Sequence, residues 1–167
     1  MVKAKFQEVK LEILGINVEV IPIEKKTIKI DITRMLRGKG CEAKFVIKKE
    51  NGGFYGEIIS LSLFPSYIRR IIHTGTSIIE DSFLTECKDA KLKIKPLIIT
   101  RNKVHRSVRT RLRNEAKAEI IELCKNQTRA EIFESILNSV MQKNLSKKLK
   151  IIYPLAFCDI RKIEVKK

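Results

Sequence analysis

Along the first hundred residues apolar side chains alternate with polar ones in short runs, the period of strands with one buried face. Phe6–Ile13 and Ile16–Ile23 fit that pattern, with Gly15 and Asn17 near the break between them. Ile28, Ile30 and Ile32 alternate with Lys29 and Asp31. Cys41–Lys49 and Phe54–Leu63 read as two more strands, and Asn51-Gly52-Gly53 between them is a hairpin signal. The period then changes. Pro65 suits a first helical turn, Tyr67, Ile68, Ile71 and Ile72 make a short apolar face, and Gly75 is the expected stop. Ser77–Lys88 and Lys91–Thr100 predict a second hairpin turning at Asp89-Ala90, with Pro96 confining the latter strand to an edge or a bulge.

Past Thr100 the period is helical. Val104, Val108, Leu112, Ala116 and Ile120 recur every four residues and predict one helix from Arg101 to about Cys124. Thr128 with Glu131 forms a capping box. Ile132, Phe133, Ile136, Leu137, Val140 and Met141 then predict a single apolar helix face. Ser146–Ile152 reads as a short basic turn or helix ended by Pro154, and Leu155–Val165 as a last strand. No repeat or linker divides the chain. The expectation is one domain over residues 1–167, β-rich through residue 100 and helical plus a last strand over 101–167. The fold class is α+β: a mostly antiparallel body, a short helix, two longer C-terminal helices and a final strand.

Charge changes the picture from fold to partner. Thirty-five Lys and Arg against nineteen Asp and Glu give a formal charge of +16, which favours a polyanion such as RNA, DNA or an acidic membrane surface. The densest stretch is Arg101–Arg113, where six of thirteen residues are Arg or Lys, His105 adds another ring nitrogen donor, and no residue is acidic. Arg106, Arg109, Arg113 and Lys117 fall at helical spacing away from the apolar stripe. Guanidinium forks match phosphate oxygens, so the stretch reads as nucleic-acid-facing. The expected nucleic-acid contacts are Arg101, Lys103, His105, Arg106, Arg109, Arg111 and Arg113, with Arg69, Arg70, Arg161 and Lys162 of second rank. Tyr153 beside Pro154 suits a core position or a base-stacking one.

Other chemistry is thinly represented. The longest run without a charged residue, Ile58–Ile68, is eleven residues, short of the about 20 that span a bilayer. Met-Val-Lys-Ala-Lys at the N-terminus lacks an apolar signal core, so the expected location is cytoplasmic, with no membrane partner. Cys41, Cys87, Cys124 and Cys158 lack zinc-knuckle spacing and read as buried small hydrophobes. Arg37-Gly38-Lys39-Gly40 is a basic turn without the strand–loop–helix frame of a phosphate cradle. The chain has two histidines, and before the helices Glu80-Asp81 is the only adjacent carboxylate pair. No catalytic residue, metal or cofactor is assigned on that basis. Distant carboxylates or cysteines converging in a cleft would point instead to an RNA-processing or modifying enzyme. A DNA-binding regulator would need a dimer surface, and no segment supplies one.

The order of motifs resembles the archaeal and eukaryotic family of small-subunit ribosomal proteins called S-one of the eukaryotic type, formerly S-three-a-e. The likeness spans about Thr27 to Lys166 and is carried by four anchors. They are Asp31-Ile32-Thr33 with the strand and turn that follow; Tyr67-Ile68-Arg69-Arg70 leading to Gly75-Thr76-Ser77-Ile78-Ile79-Glu80; Lys91–Thr100 running into the basic stretch; and Ile151-Ile152-Tyr153-Pro154-Leu155 before Asp159-Ile160-Arg161-Lys162. The resemblance implies a β-barrel-like body with packed helices. It also implies a place on the small-subunit platform near the messenger exit and the rRNA 3′ end, with small-subunit rRNA and neighbouring platform proteins as partners and no homo-oligomer. Family members usually carry a longer basic N-terminal tail with a Trp-Tyr pair. This chain has no Trp, which implies a compact, archaeal-like or reduced form.

Overall fold

The computed structural model describes residues 9–13, 16–20, 26–36, 38–50 and 53–166. The first strands are β1 (Val9–Ile13) and β2 (Ile16–Val20), an antiparallel pair forming its own two-stranded sheet. The remainder of the two strands expected over 6–23, the Gly15 break, and Asn51-Gly52 of the hairpin lie outside the described residues. A second, antiparallel sheet has seven strands. Its path runs β3 (Thr27–Asp31), β4 (Cys41–Glu50), β5 (Gly53–Leu63), β9 (Leu155–Lys166), β8 (Lys91–Thr100), β6 (Ile78–Glu80), with β7 (Phe83–Glu86) also pairing β8. The last strand of the chain thus inserts at the centre of the sheet. Among the described residues β3 and β6 do not pair, so the sheet is open and the expected barrel-like closure is corrected. Its apolar face is buried by helices instead of by its own curl.

Four helices complete the α+β fold: α1 (Pro65–Ile71), α2 (Arg106–Asn126), α3 (Arg129–Leu137) and α4 (Val140–Lys150). One core joins them to the sheet. Leu92, Ile94, Leu97, Ile98 and Ile99 of β8 meet Leu112, Ala116 and Ile120 of α2, Phe133 of α3 and Leu145 of α4 in a single buried cluster. Each fully buried Leu or Ile contributes about 1.5–3 kcal/mol over an exposed one. Tyr153 packs, partly buried, against this core. Cys41 and Cys124 are buried, Cys87 and Cys158 half-buried, and all four are free thiols. Burial pushes the thiols of Cys41, Cys124 and Cys158 up, to about 11, about 12 and about 12.

Further expectations are corrected. The strand read over Ser77–Lys88 is two strands, β6 and β7, broken at Asp81-Ser82. The break faces Pro96, where β8 also shifts register against β9. Proline has no N–H to give, which opens the ladder on the side that N–H would serve, and pairing on the other side is irregular at the same position. The bulge alternative for Pro96 holds, and the edge alternative does not. The single helix face read over Ile132–Met141 is two helices. Asn138-Ser139 separates them, Ser139 standing at φ 57°, and Val140 is 49% exposed instead of buried. The C-terminal part therefore holds three helices, not two. The basic helix starts at Arg106, not Arg101, and α1 ends at Ile71, before Gly75.

Candidate nucleic-acid interface

The Arg101–Arg113 stretch is an irregular segment, Arg101–His105, followed by the first turns of α2. Two side chains hold the irregular part. Thr100, fully buried, accepts the Ser77 N–H at Oγ1 (3.1 Å) and donates its hydroxyl to the Asn102 carbonyl (2.7 Å). Ser77 Oγ accepts the Val104 N–H (3.2 Å), and the Arg101 N–H donates to the Pro154 carbonyl (3.2 Å). Backbone groups that leave secondary structure must find partners, and here side chains of β8 and the loop before β6 supply them. The cationic side chains of Arg101 and Lys103 are thereby presented from a fixed backbone, exposed.

From Arg106 the helix has two characters. Val108 is half-buried, and Leu112, Ala116, Ile120 and Cys124 form the buried stripe. At about 100° per residue, Arg106, Arg109, Arg113 and Lys117 lie away from it on one side and Arg111 on the other. All five are exposed. Lys117 sits with its Nζ 5.7 Å from the centroid of Phe83 on β7. Arg106 and Arg111 share an open groove of about 590 Å³ with Ser107, Thr110, Asn114 and Glu115.

The electrostatics of this end run against helix stability. Anions favour a helix N-terminus, yet the first turn of α2 has no acidic residue and begins with Arg106. The N-cap, His105, makes no side-chain cap hydrogen bond. The first N–H groups of a helix have no intrahelical acceptor, and they and the arginines attract the same kind of ligand. Among the described residues no carboxylate lies within ion-pair distance of Arg101, Lys103, Arg106, Arg109, Arg111 or Arg113.

The second-rank cations differ. Arg161 Nη1 meets Glu80 Oε2 at 2.6 Å, and Lys162 Nζ meets Glu164 Oε2 at 2.5 Å. The Lys162 hydrogen bond holds the Glu164 carboxyl below its usual range. Arg161 is the extra residue of the bulge opposite Pro96, which aims it at β6. Arg70 lies with its guanidinium carbon 5.5 Å from the Tyr67 ring centroid, and Arg69 is exposed beside it in the last turn of α1. These interactions account for Arg70, Arg161 and Lys162 within the fold itself. Sequence reasoning missed Ser77 and Thr100 as the pins of the basic segment. Their signal was only that both are hydroxyl residues flanking apolar runs.

Among the described residues no group of three or more His, Cys, Asp or Glu side chains could hold a metal ion. No described helix is long and apolar enough to cross a membrane. Sheet, helices and charge define a small basic α+β protein whose Arg101–Arg113 strip has no ionic partner among the described residues. The Ribosomal S3Ae family model matches residues 25–167, and the chain belongs to that family. Similar proteins carry the name small ribosomal subunit protein eS1. That of Nanoarchaeum equitans is 32% identical over 106 residues, covering 63% of this chain and 54% of the relative. That of Halorubrum lacusprofundi is 27% identical over 114 residues, 65% of this chain and 51% of the relative. That of Methanothermobacter thermautotrophicus is 31% identical over 100 residues, 59% and 51%. These alignments cover about half the length of the relatives they match.

Proposed function

We propose that the chain is a structural, non-catalytic constituent of the small ribosomal subunit in the cytoplasm, bound to its rRNA. Its place is the platform, near the messenger exit and the rRNA 3′ end, among neighbouring platform proteins. One observation carries the reading: a pinned arginine strip continues into an uncapped helix N-terminus, and among the described residues it has no ionic partner. The names of the relatives and the family membership support it.

The mechanism is charge neutralisation. Arg101, Lys103, Arg106, Arg109, Arg111 and Arg113 hold phosphates of the RNA backbone, with His105 at the helix start as a further donor. Phosphate contacts position an RNA without reading its bases, so the packed body behind α2 sets orientation and the strip sets affinity. Arg69 is the second-rank cation most open to a phosphate; Arg70, Arg161 and Lys162 would have to exchange existing partners. Sedimentation of the native protein from an extract of its own cells tests the reading. It should travel with small-subunit particles and leave them as salt is raised; free protein at low salt would overturn it.

A further inference from the structure

The strongest unexplained feature lies away from the Arg101–Arg113 strip. Between α4, β9 and the turn before β4 is an open cleft of about 380 Å³. Four lysines line it, Lys39, Lys143, Lys147 and Lys150, together with Ser139, Ser146 and a single carboxylate, Asp159. On α4 the lining residues 143, 146, 147 and 150 follow helical spacing and share one flank, with Ser139 at the N-cap. None of the Arg101–Arg113 residues lines the cleft.

Asp159 does not neutralise that flank. It is 3% exposed, and its carboxylate is in contact with Lys39, accepts the Ile160 N–H (2.7 Å) and accepts Nε2 of Gln142 (3.3 Å). Lys39 and Asp159 therefore answer each other, leaving Lys143, Lys147 and Lys150. All three are exposed and, among the described residues, none has a carboxylate within ion-pair distance. Lys148 of the same helix differs: turned towards α2, it meets Glu119 at 2.6 Å. Like charges three and four residues apart on one helix flank repel, so this arrangement gains from an anion placed among them.

We propose that this cleft is a second site for the phosphodiester backbone of RNA, separate from the arginine strip. The proposal rests on the RNA-binding reading above. The side chains suit that partner. Lysine ammonium groups are point charges that meet phosphate from any direction, and the serine hydroxyls add donors. Lys143 to Lys150 covers about 10 Å of helix axis, a strip instead of a point. With two separate cationic sites on one packed body, the protein joins two stretches of RNA and holds them at a fixed separation.

The test compares four full-length proteins: wild type, Lys143→Gln/Lys147→Gln/Lys150→Gln, Arg106→Gln/Arg109→Gln/Arg113→Gln, and the two sets combined. Each is titrated with a labelled small-subunit rRNA transcript at several salt concentrations, and with labelled poly-L-glutamate. Gln is nearly as good a helix former as Lys, so the melts should coincide; if the lysine triple variant melts early, Lys147→Gln/Lys150→Gln takes its place. The lysine variant should bind the transcript roughly tenfold or more weakly, with a log–log salt slope shallower by up to about 0.9 for each phosphate left without its lysine. The loss should add to that of the arginine variant when the two are combined. A lysine variant that binds RNA as wild type does, while the arginine variant is weakened, overturns the cleft and leaves the first reading standing. If neither variant loses RNA, both readings fail. A lysine variant that loses poly-L-glutamate but keeps RNA overturns the proposal in favour of an acidic protein partner.

Discussion

At the scale of single residues, two buried polar groups decide how the cationic surfaces are held. Lys39 covers the Asp159 carboxylate, with side-chain exposures of 17% and 4%. Removing one partner of a buried pair leaves an uncompensated charge, at about 3–5 kcal/mol. Lys39→Met should therefore destabilise by about 3 kcal/mol in a denaturant melt, the low end of that range, because Asp159 keeps its bonds from Ile160 and Gln142. An unchanged midpoint would mean the pair contributes nothing. Thr100 is the second case. Thr100→Val deletes the acceptor of Ser77 and the donor of Asn102 in a fully buried position, a loss of about 1–3 kcal/mol. It should also weaken RNA binding at unchanged net charge, since Arg101 and Lys103 would lose their fixed backbone. Normal RNA affinity in a destabilised Thr100→Val would show that the pinning is only structural.

At the scale of elements, local pattern was readable and partners across the fold were not. The alternation of Ile28, Ile30 and Ile32, or of Leu92 and Ile94 with lysines, identifies strands because a half-buried strand has period two. The Thr128–Glu131 capping box is present as its residues foretell, with the Thr128 N–H donating to Glu131 Oε2 at 2.9 Å. The split of β6 from β7 was hidden because its cause, Pro96, lies on another strand. The α3–α4 break was hidden because a serine, not a glycine, takes the positive φ. Left-handed backbone costs a non-glycine residue about 1–2 kcal/mol. Ser139→Gly should accordingly raise stability by about 0.5–1 kcal/mol once glycine's own entropy is set against that gain. A lower melting temperature would mean that Ser139 makes a compensating interaction. Likewise the charge density of Arg101–Arg113 was plain in the sequence. The partner of Arg161 was not, since Glu80 is 81 residues away in sequence. The lysine cleft escaped because its fourth lysine comes from a distant turn.

Helix α2 permits a sharper test at the same scale. Leu112 is fully buried and Arg106, Arg109 and Arg113 are exposed. Leu112→Ala should cost about 2–5 kcal/mol of stability. Replacing the three arginines by Gln should change stability by no more than about 0.5 kcal/mol each, or raise it by relieving repulsion at the helix N-terminus. If the arginine variant unfolds and the leucine variant only loses RNA, the two faces have been assigned the wrong way round.

At the scale of the whole molecule, an open seven-stranded sheet carries its helices on an apolar face and places β9 at its centre. That arrangement could not be read from periodicity, which finds strands but not their order. The order of periodic segments reached the α+β class, and the resemblance reached the family but overshot in suggesting a barrel. What the fold does for function is to hold a +16 chain together while leaving its strongest cations without internal anions among the described residues. The central claim is that this free charge meets RNA phosphate through Arg101–Arg113. The most direct measurement is the salt dependence of binding to a small-subunit rRNA transcript, for wild type and for Arg106→Gln/Arg109→Gln/Arg113→Gln. Wild-type affinity should fall roughly 10³-fold or more between about 50 and 200 mM salt for about six phosphate contacts, and the variant should show a shallower slope. A nearly flat plot for wild type, or an arginine variant with unaltered affinity and slope, would contradict the account.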